Sequence, residues 1–188
     1  ICGYGEILKH SIVGNKKFYN FLNNHKNKIL KLTSPFIEKA IQESCKIKKA
    51  IVQKDEKEKG LRKILNFGHT FAHAYEASLE YSKRLNHGEA VIIGMKTALN
   101  FSLRNSFLDK SEYKLIINHI ENIGLPSSLN KIFSLKDLNK ILSFMLKDKK
   151  NHSSKISLVL LKKIGSSVFD KEYTKKNIYL FLKNYLRD

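Results

Sequence analysis

The chain has 188 residues, 42% of them hydrophobic, enough for one well-cored domain or two small ones, and no apolar run approaches the roughly 20 residues of a membrane span. Its formal net charge of +18 is carried mainly by lysines spread along the whole length rather than clustered with aromatics, which argues against a nucleic-acid surface. Cys2 and Cys45 lack metal or redox spacing and indicate a reducing, cytoplasmic setting. The opening, Ile1-Cys2-Gly3-Tyr4-Gly5-Glu6, has neither an initiator Met nor a secretory n-region, as expected of a piece of a longer protein.

Residues 5–13 (GEILKHSIV) read as a short helix that Gly14 ends in a left-handed conformation, with Glu6, Lys9 and Val13 on one face and His10 a turn above Glu6. Residues 16–32 carry Phe18, Phe21, Leu22, Ile29, Leu30 and Leu32 and predict helix with a break near Asn23-Asn24. Ser34-Pro35 predicts an N-cap followed by Pro at the first helical position, opening a long helix to about Gln53. The apolar stripe of that helix reads Ile37, Ile41, Cys45, Ile51 and Val52, with Lys48 among them. A lysine on an inward face either snorkels or serves a site.

Gly60 breaks the chain before the stretch Arg62 to Glu89. If its first half is one helix, Arg62, Asn66, His69 and His73 fall on a single stripe, beside an apolar stripe of Leu61, Ile64, Leu65, Ala72 and Tyr75. Buried polar groups are costly unless paired, so a stripe of Arg, Asn and two His points to a ligand. Asn86-His87-Gly88-Glu89 opens a mostly apolar helix with small faces, suited to the middle of a bundle. Residues 110–123 predict another helix, stopped by Gly124 and Pro126, and Ser134 caps a third that ends in Lys147-Asp148-Lys149-Lys150. Ile156 to Leu161 and Ser167 to Phe169, separated by Gly165, predict a small hairpin. Thr174 caps a final amphipathic helix through Tyr185. The fold class is therefore mostly α, a multihelical bundle with a small β-hairpin near the C-terminus, in one domain over residues 1–188.

Two imidazoles and a carboxylate around an open position make a common catalytic zinc site. The candidates are His69 and His87 with one of Glu6, Glu58, Glu76 or Glu89. His69 and His73 at i, i+4 resemble a zincin pair, but Thr70 stands where that motif needs Glu.

Five blocks stand in order: Gly5-Glu6-Ile7-Leu8-Lys9; Lys48 ahead of Asp55-Glu56-Lys57-Glu58; Arg62-Lys63-Ile64-Leu65-Asn66-Phe67-Gly68-His69-Thr70-Phe71-Ala72-His73; His87-Gly88-Glu89-Ala90-Val91; and Asp148-Lys149-Lys150. Together, over essentially the whole chain, they resemble the carboxyl-terminal domain of the 3-dehydroquinate synthase family. Tyr4-Gly5 and Ala72 depart from the family's commoner Leu-Ala and Gly without replacing a chemical group. The resemblance implies that Glu6, His69 and His87 hold a divalent metal, Zn2+ or Co2+. It implies that Lys9, Lys48, Arg62, Asn66, His73 and one lysine of Lys149-Lys150 line the substrate cleft, with Glu58 nearby. NAD would be held mainly by an N-terminal α/β domain, for which this chain offers no glycine-rich phosphate loop. The implied activity is that of an NAD- and metal-dependent lyase of the shikimate pathway, serving aromatic amino acid biosynthesis. The implied substrate is 3-deoxy-D-arabino-heptulosonate 7-phosphate, taken by oxidation, phosphate elimination, re-reduction, ring opening and aldol closure to 3-dehydroquinate. A homodimer in the cytoplasm, with no nucleic-acid or membrane partner and an inactive isolated chain, completes the expectation. The alternatives are another sugar-phosphate cyclase of the same superfamily and a non-enzymatic basic helical binding module.

Overall fold

A computed structural model describes residues 2–124, 128–147 and 155–187. The chain runs α1 (Cys2–Gly14), α2 (Lys16–Leu30), α3 (Phe36–Lys54), a 3-10 segment (Leu61–Asn66), α4 (His69–Ser78), α5 (His87–Arg104), α6 (Lys110–Glu121), α7 (Leu138–Lys147), β1 (Lys155–Lys163), β2 (Ser166–Thr174) and α8 (Lys175–Tyr185). The two strands form one antiparallel hairpin, pairing Lys155 with Thr174 through to Lys163 with Ser166. The architecture is the mostly α bundle with a C-terminal hairpin that the patterning predicts. No helix among the described residues is long and apolar enough to cross a membrane.

The bundle is organised around α5, which is buried on nearly every side: Ala90, Val91, Ile92, Ile93, Met95, Ala98, Leu99 and Phe101 all lie in the core. It packs against α4, α1, α6 and β1. Small residues let the backbones close. A Cβ on Gly5 would stand 3.1 Å from the Gly88 carbonyl oxygen, and one on Gly68 would stand 2.6 Å from the Met95 nitrogen. The hairpin turn is tied back to α1 by Gly165 N–H donating to Ile12 O at 2.8 Å.

Local expectations fail where tertiary contact outweighs local signal. Gly14 is the last residue of α1 and is not left-handed; a Cβ there would meet Ile47 at 2.8 Å, so this glycine admits α3. Asn23-Asn24 breaks nothing: α2 is continuous, and Asn23 turns its side chain to His119 on α6. Pro35, not Ser34, occupies the N-cap position of α3, without a side-chain cap. The buried residues of α3 are Ala40, Ser44 and Ile51, whereas Ile41 and Cys45 are exposed. The inward stripe is thus turned away from the one that apolarity marked, because a helix packed on one side hides small residues where its neighbour comes closest.

The central stretch is not one helix either. A 3-10 segment covers Leu61–Asn66, and Gly68, at φ +79°, resets the chain before α4 starts at His69. Leu61 is left exposed. Only glycine takes this conformation without strain, and the α5 backbone at Met95 fills the space a side chain would need.

Candidate metal centre

Each residue of the centre lies beside one of these close-packed glycines. Glu6 follows Gly5, His69 follows Gly68, and His87 precedes Gly88. Contact between α1 and α5 at Gly5 and Gly88, and between Gly68 and α5 at Met95, therefore brings three distant segments together. Glu6, His69 and His87 each offer a ligand atom within 4.8 Å of the others. His69 Nε2 stands 3.4 Å from Glu6 Oε1, and the His69 and His87 rings lie 6.0 Å apart.

Of the four acids open on sequence grounds, three are occupied. Glu58 Oε1 accepts from Asn66 Nδ2 at 2.6 Å. Glu89 accepts from the Asn86 backbone N–H at 2.9 Å, capping α5. Glu76 Oε1 meets His87 Nδ1 at 3.0 Å. Glu6 differs: its Oε2 accepts from Lys9 Nζ at 2.8 Å, while its Oε1 is buried without a hydrogen-bond partner. An orphaned carboxylate oxygen facing two imidazoles fits a divalent cation, which takes two nitrogens and one oxygen and leaves a coordination position open. Burial alone would raise the Glu6 carboxyl, but His69 and Lys9 beside it hold it well below the usual carboxylate range.

Beside the trio, Lys9, His10, Lys48, Glu58, Arg62, Leu65 and Asn66 line a hollow of about 210 Å³ with Glu6 and His69. Lys9 is buried, and burial lowers its amine despite the compensating Glu6 charge. Lys48 is exposed rather than inward, yet it borders this hollow from the flank of α3. Arg62 is set by Asp55, whose carboxylate accepts from the backbone N–H groups of Lys59, Gly60 and Arg62 at 2.7–2.9 Å. The second motif block contains Asp55 without giving it a role; the acid five positions ahead of Gly60 is the local signal for one.

His73 departs from the expected stripe. Its ring lies 5.3 Å from that of His69, but it faces an adjoining hollow with Thr70, Glu76, Tyr81, His87, Phe144 and Lys147. The reset at Gly68 breaks the helical count between Arg62 and His73, and His73 lines a different hollow from Arg62 and Lys48. Lys149 and Lys150 lie outside the described residues. His10 also escapes the motifs: it is buried, its Nδ1 is 2.7 Å from Ser44 Oγ, and its Nε2 is 3.9 Å from Glu6 Oε2.

The fold recurs in about half of each of two solved synthases. The whole chain superposes, with TM-score 0.81 and 22% identity, on 51% of the 2-epi-5-epi-valiolone synthase ValA from Streptomyces hygroscopicus subsp. jinggangensis 5008, solved with NAD+ and Zn2+ bound. It superposes over 97% of its length, at the same TM-score and 20% identity, on 51% of a 2-deoxy-scyllo-inosose synthase complexed with carbaglucose-6-phosphate, NAD+ and Co2+. The 3-dehydroquinate synthase C-terminal family matches residues 3–151, and the chain belongs to it. It is 61% identical over 186 residues to the 3-dehydroquinate synthase of Pelagibacter ubique (strain HTCC1062), covering 99% of this chain and 50% of the relative. It is 43% identical over 180 residues to that of Leptospira interrogans serogroup Icterohaemorrhagiae serovar copenhageni (strain Fiocruz L1-130), covering 95% and 48%. The chain spans about half the length of the curated relatives it matches.

Proposed function

We propose that the chain is the metal- and substrate-binding half of a 3-dehydroquinate synthase, which converts 3-deoxy-D-arabino-heptulosonate 7-phosphate to 3-dehydroquinate and phosphate. The observation that carries this reading is the orphaned Glu6 Oε1, aimed with His69 and His87 at one point beside a pocket of fixed cations. In this reading Glu6, His69 and His87 hold the divalent ion, Zn2+ or Co2+. When bound, it supplies Lewis acidity that lowers the pKa of a coordinated hydroxyl. NAD, held mainly by the other half of the protein, would supply the hydride acceptor.

The work of this chain's own residues follows from the pocket. Arg62, Lys48 and Lys9 offer three cationic donors to a substrate with a carboxylate and a phosphate. The Arg62 backbone is pinned by Asp55, and its Nη1 donates to Glu56 O at 2.6 Å, so the guanidinium is pre-set before substrate arrives. Lys9 is held by Glu6 Oε2, with its Nζ 3.5 Å from His69 Nε2, and lines the pocket. Asn66, steadied by Glu58, supplies a neutral donor and acceptor for a hydroxyl. His73 would act from the adjoining hollow, and the resemblance assigns one lysine of Lys149-Lys150 to the same substrate.

A second reading, another sugar-phosphate cyclase, is favoured by the two solved structures; the 61% identity to a 3-dehydroquinate synthase favours the first. The deciding experiment measures phosphate release by this chain joined to its N-terminal NAD-binding domain, with NAD and zinc present. Turnover of 3-deoxy-D-arabino-heptulosonate 7-phosphate is expected. Turnover of a different seven-carbon sugar phosphate in its place would overturn the substrate assignment.

A further inference from the structure

Glu76 is one of the few buried charged residues, 8% exposed. It stands in the last turn of α4, where the helix dipole disfavours an anion. Burying a carboxylate there is costly unless it is paired, and among the described residues its side-chain partner is His87, Oε1 to Nδ1 at 3.0 Å.

We propose that Glu76 is the positioning residue of the metal centre: by accepting the Nδ1 proton of His87 it turns that ring so that Nε2 faces the point shared by Glu6 and His69. The inference rests on the metal-binding reading given above. A neutral imidazole carries one proton, and an ionised carboxylate can only accept, so this contact puts the hydrogen on Nδ1 and the lone pair on Nε2. His87 needs such a partner more than His69 does. Its side chain is 49% exposed at the first position of α5, against 13% for His69. His69 already has its Nδ1 3.4 Å from Phe67 O and its Nε2 3.4 Å from Glu6 Oε1; with Glu76 on Nδ1, Nε2 is the nitrogen that His87 has to offer at the same point. The same contact removes Glu76 from the ligand set: its oxygen is spent on the far side of the ring. A carboxylate on the outer nitrogen also raises the ligand basicity of the inner one.

The test uses the full 188-residue chain and Zn2+ alone, with affinity read by competition against a chromophoric chelator. The His87 tautomer is read from ring 15N shifts of the metal-free chain at mildly alkaline pH. Glu76→Leu should weaken zinc by about 10–100-fold and shift His87 from the Nδ1–H form to a mixture. Glu76→Gln should fall between, since its amide oxygen accepts the same proton without the charge. A merely structural role would lower the unfolding midpoint of the metal-free chain and leave the tautomer and zinc affinity unchanged. Parent-like zinc affinity in Glu76→Leu, alongside its loss in His87→Ala, overturns the positioning role and leaves the metal site standing. Zinc affinity that His87→Ala does not change overturns both. Should Glu76→Leu fail to fold, Glu76→Gln decides alone, and parent-like affinity there overturns the proposal.

Discussion

Gly94 on α5 lies directly against the carbonyl oxygen of Gly68, the residue that precedes His69. Helix propensity alone would favour Ala at position 94 by about 1 kcal/mol. A Cβ there would collide with that oxygen and stand 2.9 Å from Ala72 N, both backbone atoms that cannot swing aside. The collision wins. Gly94→Ala should destabilise the chain by about 1–3 kcal/mol in a denaturant titration and weaken zinc binding, because His69 moves with Gly68. A stabilised variant with parent-like zinc affinity would show that the helices have slack here.

Glu6→Gln tests the ligand assignment most directly. It removes the charge of an oxygen that has no hydrogen-bond partner and faces His69 Nε2 at 3.4 Å. Zinc affinity should fall by more than the roughly 100-fold upper range for an outer-shell partner, measured by elemental analysis after dialysis against graded free zinc. The metal-free chain should lose stability as well, since the buried Lys9 ammonium loses its carboxylate. Full zinc occupancy in this variant would refute the assignment.

Lys48→Ala separates catalysis from stability. The residue is exposed yet borders the cationic pocket, so its loss should change unfolding free energy by no more than about 0.5 kcal/mol. In the protein completed by its N-terminal domain, turnover should drop severalfold or more. Near-parental turnover would return Lys48 to the ordinary solvated lysines.

His119, 1% exposed, predicts a pH dependence of stability remote from the metal centre. Its Nε2 is 2.8 Å from the Tyr4 hydroxyl and its Nδ1 3.0 Å from Asn23 Oδ1, a set that satisfies the neutral ring. Burial, with a smaller contribution from Lys26, pushes its pKa down to about 4 from 6.5. Between those two values the unfolded chain binds a proton that the native chain does not. Stability from this group is therefore complete above about 6.5 and is lost as pH falls towards about 4, on the order of 3 kcal/mol in all. Denaturant titrations at pH 4.5 and 7.5 should show a smaller difference for His119→Gln than for the parent. An equal difference would locate the dependence elsewhere.

The isolated chain should release no phosphate from the sugar phosphate, because hydride transfer needs a nicotinamide within about 3–3.5 Å of the reacting carbon. A phosphate assay with NAD and zinc reads this. Steady release that disappears in His69→Ala would contradict a hydride-dependent reaction.

Apolar periodicity alone made the helix content and the hairpin legible, and Asn86-x-x-Glu89 and Thr174 marked their helix starts correctly. The same periodicity misled where spacing alone had to choose a face. In α3 the inward residues are Ala40 and Ser44 rather than Ile41 and Cys45. Across residues 62–73 the i, i+4, i+7 count assumed a continuous helix that Gly68 interrupts. A left-handed glycine is invisible to a periodicity argument, because nothing local distinguishes it from a glycine that only lets a neighbour approach.

The sequence by itself determined the residue types of the centre, two imidazoles and a carboxylate with a surrounding set of lysines, an arginine and an asparagine, and it determined their order in five blocks. Residue spacing left open which acid joins the two imidazoles; the resemblance named Glu6, and only tertiary structure supplies the physical reason. Glu6, Glu58, Glu76 and Glu89 are chemically identical carboxylates, and each choice was open along the chain. They differ only in what reaches them once α1, α4 and α5 close on their glycines: an amide for Glu58, a ring nitrogen for Glu76, a backbone N–H for Glu89, and for Glu6 a lysine on one oxygen with the other left without a hydrogen-bond partner. Hydrogen-bond satisfaction is a property of the assembled interior, where water no longer competes, so residue spacing could not rank the four and only the resemblance singled out Glu6 in advance.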